Sequence, residues 1–108
     1  MNVIVVDDER AMHLIMSRLL GKLPNIEVVG CFSDTFAAEQ FIHEHDVHVA
    51  FVDISMPQEN GMQFAERMTR QQPGLYIIFI TTHKDYALEA FELHALDYIV
   101  KPVSLDRI

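Results

Sequence analysis

Several polar residues stand immediately after apolar runs, where a chain leaves a core and meets solvent. Asp7, Asp8 and Glu9 follow Val3–Val6. Asp53 follows Val47–Val52, Thr81 and Thr82 follow Leu75–Ile80, and Lys101 with Pro102 follows Tyr98–Val100. Acids, hydroxyls and an amine are thus available for one rim. Two carboxylates ~5 Å apart repel by roughly 3 kcal/mol at an effective dielectric of ~20. Gathered acids therefore raise one another's pKa values or recruit a cation. Oxygen-only donors suit a hard divalent ion, and Mg²⁺ binds through one or two carboxylates while keeping waters and taking phosphate oxygens. No Cys or His stands among these acids, which argues against zinc. A carboxylate beside Mg²⁺ can attack phosphorus and form an aspartyl phosphate. Asp53 is the best nucleophile, because it stands alone facing the acid pair. Lys101 is a flexible point charge that can reach a phosphoryl oxygen, and Thr81 can donate a hydrogen bond to another. The Lys101–Pro102 bond is a candidate for the cis form.

The elements that must position these groups are read from the apolar pattern. The runs Val3–Val6, Ile26–Phe32, Val47–Val52, Leu75–Ile80 and Tyr98–Val100 are rich in Val, Ile and Phe. The first, third and fourth are apolar at nearly every position, as in strands covered on both faces. Four amphipathic stretches separate the runs. Met12, Ile15, Met16, Leu19, Leu20 and Leu23 form one helical stripe, with Gly21 and Pro24 as a stop. Ala38, Phe41 and Ile42 mark the inner face of a second helix, capped by Ser33 or Asp34. Asn60 is the candidate cap of a third, with Met62, Ala65 and Met68 inward and a Glu66–Arg70 pair outside. A fourth is expected from about Lys84 to His94, with Ala87, Leu88 and Phe91 inward. A fifth begins at Ser104 and is cut short at Ile108. Alternating strands and helices with short connections predict an α/β, doubly wound parallel sheet with right-handed crossovers. In such sheets ligands bind beyond the carboxyl ends of the strands.

Composition narrows the function further. The 108 residues suit one domain, and half of them are apolar, enough for a core. Lys and Arg total 8 against 16 Asp and Glu, a net charge of −8, which opposes gripping nucleic acid or an anionic membrane. The single cysteine, Cys31, allows no internal disulfide and is expected to be buried and inert. No apolar run approaches the ~20 residues that span a bilayer, and acids arrive too early for a secretory signal. A cytoplasmic location is expected. His43, His45 and His48 are spaced i, i+2, i+5, which suits a solvated helix end better than a metal site. The methionines read as core filler. His83 reads as an exposed loop residue near the rim.

Taken together, Asp7-Asp8-Glu9, Val52-Asp53-Ile54-Ser55-Met56-Pro57 with Asn60-Gly61, Thr81-Thr82, and Asp97-Tyr98-Ile99-Val100-Lys101-Pro102 resemble the receiver domain of two-component response regulators. The match runs the length of the chain, in order. The resemblance implies a flavodoxin-like (βα)₅ sheet in the order 2-1-3-4-5 over residues 1–108. It implies Asp53 as phosphoacceptor and Asp8 as the main Mg²⁺ carboxylate, with Asp53 itself and the Ser55 carbonyl completing the protein ligands and Asp7 binding directly or through water. Thr81 and Lys101 would hold the phosphoryl group, and Tyr98 would be the switch aromatic. A sensor histidine kinase is the implied phosphodonor, with homodimer formation on phosphorylation as a further implied partner state. The stretch Asp85–Pro102 looks most like receivers joined to LytTR-type or SARP-like DNA-binding effectors, so DNA would be met through a C-terminal output domain absent from this chain. Two other readings compete: a Mg²⁺-dependent phosphatase with an aspartyl intermediate, and a receiver-like interaction module that takes no phosphate. A flavodoxin-like FMN domain fits poorly, because its first loop must cradle phosphate with donors, and here it offers acids.

Overall fold

The structure is a computed structural model that describes residues 1–104 and 106. Five strands and four helices alternate along it. They are β1 (Asn2–Val6), α1 (Arg10–Leu20), β2 (Glu27–Phe32), α2 (Thr35–Glu44), β3 (Val49–Val52), α3 (Gly61–Gln71), β4 (Tyr76–Thr81), α4 (Ala87–Glu92) and β5 (Asp97–Val100). All neighbouring strands pair in parallel, in the order β2-β1-β3-β4-β5. The expected sheet and strand order are therefore observed. The truncated fifth helix expected from Ser104 falls on residues 105, 107 and 108, which lie outside the described residues.

The central strands are covered on both faces because their side chains alternate between two cores. Ile4, Val6, Ala50, Val52, Ile77 and Phe79 turn to one side, where Ala38, Ile42, Phe64, Ala65, Met68 and Ala90 of the helices meet them. Val3, Val5, Val49, Phe51, Ile80 and Ile99 turn to the other, against Met12, Met16 and Leu20 of α1. Local signals fix the starts of α2 and α3. The Asp34 side chain accepts from the Ala37 N–H at 2.8 Å. Asn60 and Gln63 form a reciprocal capping box at 3.0 and 3.2 Å, satisfying two otherwise orphaned N–H groups. Among the described residues, no helix is long and apolar enough to cross a membrane.

Three expectations are corrected. In α1 the buried line is Met12, Met16 and Leu20, while Ile15 is 43% exposed. The helix is rolled so that His13, not Ile15, adjoins β1, and the His13 Nε2 lies 2.6 Å from the Asp7 carbonyl oxygen. The fourth helix is shorter than predicted, and its buried face differs from the predicted one. Ala87 is exposed, Leu88 and Phe91 are 67% and 78% exposed, and Ala90 is its buried residue. Six residues make less than two turns, so one small contact seats it, and Tyr86 and Leu93 at its ends complete the packing. Cys31 is half-buried rather than buried, 3.7 Å from the Ser17 hydroxyl.

Candidate functional site

The carboxyl ends of β1, β3, β4 and β5 form one rim, and each delivers a polar side chain to it. Asp7 directly follows β1. Its N–H donates to the Phe32 carbonyl of β2 at 2.9 Å, and its Oδ1 accepts from the Glu9 N–H at 2.9 Å. Asp53 directly follows β3. Its N–H donates to the Val6 carbonyl at 2.9 Å, and its Oδ1 accepts from the Ser55 N–H at 3.3 Å. Both acids are buried, whereas Asp8 is exposed. Thr81 ends β4, fully buried, and its hydroxyl oxygen accepts from the His83 N–H at 3.2 Å. Lys101 follows β5 and is fixed by its N–H donating to the Thr81 carbonyl at 2.8 Å. The Lys101–Pro102 peptide is cis.

The charges converge as the spacing predicted. Asp7, Asp8 and Asp53 each offer a carboxylate oxygen, and these atoms lie within 4.8 Å of one another. The Lys101 ammonium, 10% exposed at its side chain, sits against Asp7 Oδ2 at 3.0 Å, Glu9 Oε1 at 3.0 Å and Asp53 Oδ2 at 3.2 Å. Burial lifts the Asp7 carboxyl above its ordinary value, and the Asp53 charge adds to that; the Glu9 N–H and Lys101 pull it back. For Lys101 burial works downward, but the carboxylates of Glu9, Asp7 and Asp53 outweigh it and raise the ammonium's pKa. The ammonium is therefore charged throughout the neutral range. Three hard oxygen donors, one of them on the exposed Asp8, match an ion that keeps waters, so the donor set fits Mg²⁺.

A second layer holds this rim in place. Gly61 opens α3 so close to β3 that a Cβ there would lie 2.1 Å from the Asp53 carbonyl oxygen. Its N–H donates to the Ile54 carbonyl at 2.7 Å. Arg67 of α3 bridges Glu39 of α2 at 2.8 Å and Glu59 of the β3–α3 connection at 2.7 Å. The Arg67 guanidinium holds the Glu59 carboxyl below its usual range. This bridge tethers the connection that carries Ser55. Tyr98 of β5 donates its hydroxyl hydrogen to the His83 carbonyl, and its ring packs 6.0 Å from that of Phe79. Burial raises the Tyr98 pKa, with Asp85 and Glu89 adding to the rise. Thr81, His83 and Tyr98 thus form one hydrogen-bonded path from the rim to β5. His83 is half-buried in that path rather than a fully exposed loop residue.

Every predicted site residue lies on the rim or the path leading from it. The Gly61 approach and the Glu39–Arg67–Glu59 bridge were not read from the sequence. Asn60-Gly61 carried a signal for the first. Nothing in the spacing of Glu39, Glu59 and Arg67 announces the second. Of the three histidines expected at a solvated helix end, His43 reaches Gln71 at 2.7 Å, His45 stacks on Phe41, and His48 accepts the Asn2 N–H at 2.8 Å.

This fold, with acids after β1 and β3, a hydroxyl after β4 and a lysine after β5, can be compared with known proteins. The family model for the response regulator receiver domain matches residues 3–108. The chain belongs to this family. The receiver domain is 37% identical to the transcriptional regulatory protein YpdB of Escherichia coli, over 100% of this chain and 44% of that protein. It superposes on the response regulatory domain of MrkE from Klebsiella pneumoniae with a TM-score of 0.92 and 36% identity, covering 99% of this chain and 88% of that one. It also matches RcsB from Salmonella enterica serovar Typhimurium, solved on the promoter rprA with the phosphomimetic BeF₃⁻ (TM-score 0.87, 29% identity, 96% of this chain and 61% of that one). The receiver domain spans 40–44% of the length of the curated relatives MrkE and YpdB. Receiver domains bind Mg²⁺ at an acidic pocket and interact with histidine kinases; here Asp7, Asp8 and Asp53 form the acidic pocket.

Proposed function

We propose that Asp53 is the phosphoacceptor of this receiver domain. The observation that carries the reading is the convergence of Asp7, Asp8, Asp53 and Lys101 on one rim. An Asp53 oxygen attacks the phosphorus of a phosphohistidine on a sensor kinase. The new O–P bond forms as the P–N bond breaks, and the imidazole nitrogen leaves with the electron pair. Asp8, Asp53 and the Ser55 carbonyl would hold Mg²⁺, with Asp7 direct or through a water. When bound, Mg²⁺ neutralises charge on the phosphoryl oxygens. The Lys101 ammonium passes from the Asp53 oxygen to a phosphoryl oxygen, and Thr81 turns its hydroxyl toward another. The phosphoryl group adds about −1.5 to −2 of charge, which drives that movement. Because Thr81 bonds the His83 N–H and Tyr98 bonds the His83 carbonyl, motion at Thr81 is felt at Tyr98.

The wider protein follows the same reading. Residues 1–108 form the receiver, and a C-terminal output domain of LytTR-type or SARP-like class binds DNA in the cytoplasm, with homodimer formation on phosphorylation. The names of YpdB and RcsB's promoter complex support an output on DNA. The test is intact-mass analysis after acetyl phosphate with Mg²⁺. Wild type gains one phosphoryl group and Asp53→Asn gains none. Labelling of Asp53→Asn moves the nucleophile elsewhere. Repeated turnover of a phosphorylated substrate favours the phosphatase, and an unlabelled wild type favours the interaction module.

A further inference from the structure

Glu9 occupies a position that local helix chemistry does not explain. It is the N-cap of α1, where Ser, Thr, Asp and Asn are preferred because a short side chain can accept from the helix's free N–H groups. The Glu9 side chain makes no such bond. It extends instead to the Lys101 ammonium, 92 positions away in the chain, at 3.0 Å. The same ammonium also contacts Asp7 and Asp53, two of the three acids whose oxygens cluster for a cation. Glu9 is outside that cluster. A dication and an ammonium repel when they share carboxylates. The lysine can yield Asp7 and Asp53 most readily if a third counter-ion keeps it at the pocket mouth.

We propose that Glu9 is a positioning residue that tethers Lys101, so that the lysine keeps a partner while Asp7 and Asp53 turn to Mg²⁺ and Asp53 is esterified. The inference rests on the Mg²⁺-binding reading above. Glu9 is 62% exposed at its side chain, and the backbone bonds of residue 9 survive its substitution. Folding is therefore retained. The decisive variant is Glu9→Asp, which keeps the charge but shortens the reach by about 1.5 Å. A purely structural role at an N-cap makes Glu9→Asp harmless or stabilising, and a purely long-range charge effect leaves Mg²⁺ affinity unchanged. The tether makes both Glu9→Asp and Glu9→Gln weaken Mg²⁺ by roughly three- to fivefold, the scale of one part-exposed ion pair. Calorimetric titration of the full chain with Mg²⁺ reads this without any turnover. In a Lys101→Met background, Glu9→Asp should change nothing. Wild-type binding with Glu9→Asp at the wild-type dissociation constant overturns the tether alone, as does a Glu9→Asp effect that persists without Lys101. Absence of Mg²⁺ binding by the wild type overturns the underlying reading, and the tether with it.

Discussion

Replacing Lys101 with Met keeps most of the side-chain stem and removes the ammonium with its hydrogen bonds. In the wild type that ammonium lies 3.0 Å from Asp7 and 3.2 Å from Asp53, whose side chains are 4% and 5% exposed. Each contact is worth about 5 kcal/mol in gross attraction at an effective dielectric of ~20, and desolvation of the ammonium offsets much of it. What decides the outcome is the state left behind: two buried acids facing each other without a counter-charge. Breaking a buried pair in this way costs about 3–5 kcal/mol. Glu9, largely exposed, adds little to the total. For a domain of ~100 residues, Tm should fall by roughly 12 °C or more. The pH dependence has a fixed sign. Burial already holds the Asp7 pKa above the ordinary 3.8, and Lys101 pulls it down. Without the lysine it rises further. A carboxyl raised in the folded state costs stability while ionised and is relieved on protonation. The loss is thus full above the raised Asp7 value and shrinks as pH falls toward 3.8. Mg²⁺ should recover part of it at neutral pH. Urea unfolding at pH 7 and pH 5, with and without Mg²⁺, measures all three effects. A variant within ~0.5 kcal/mol of wild type at pH 7, or a loss that grows on acidification, refutes the reasoning.

Three further outcomes are expected. Gly61→Ala sets a methyl against the Asp53 carbonyl and Val52, so urea unfolding should show a loss of at least ~1–3 kcal/mol, and phosphorylation by acetyl phosphate should slow as Asp53 is displaced. Phe91→Ala should leave stability within ~0.5 kcal/mol, because the ring is in solvent, whereas Phe64→Ala should cost about 3–5 kcal/mol in the same urea series. Tyr98→Phe removes the hydroxyl's bond to the His83 carbonyl, costing about 1 kcal/mol; mass labelling of Asp53 should persist while backbone amide exchange around His83 accelerates.

The strands were legible because a segment covered on both faces has little choice of residue. Val3–Val6 and Val49–Val52 are apolar throughout, and that pattern alone places Asp7 and Asp53 at strand ends. The site was legible for the same reason, since parallel strands bring their carboxyl ends to one rim. Helix α4 was not. Ala87, Leu88 and Phe91 read as one apolar face, yet in so short a helix the seat is decided by Ala90 and by Tyr86 and Leu93 at its ends. Side-chain reach was also hidden. Glu9 was visible as an acid on the rim, but its partner 92 positions away depends on where β5 ends relative to β1. The Glu39–Arg67–Glu59 bridge joins three segments whose relative placement no periodicity encodes.

Asp53 follows a strand that is held on both sides. β3 is flanked by β1 and β4, and its four residues are buried on both faces. Its Asp53 N–H is anchored to β1, and Gly61 abuts the Asp53 carbonyl. The Asp53 backbone therefore resembles an anvil, clamped between two neighbours. The lightly seated parts are at the periphery, in the His83–Tyr86 connection and in a six-residue helix whose buried residue is Ala90. Under the proposed phosphorylation of Asp53, the response would be taken up at the margin of the sheet, on the side where β5 forms the last strand.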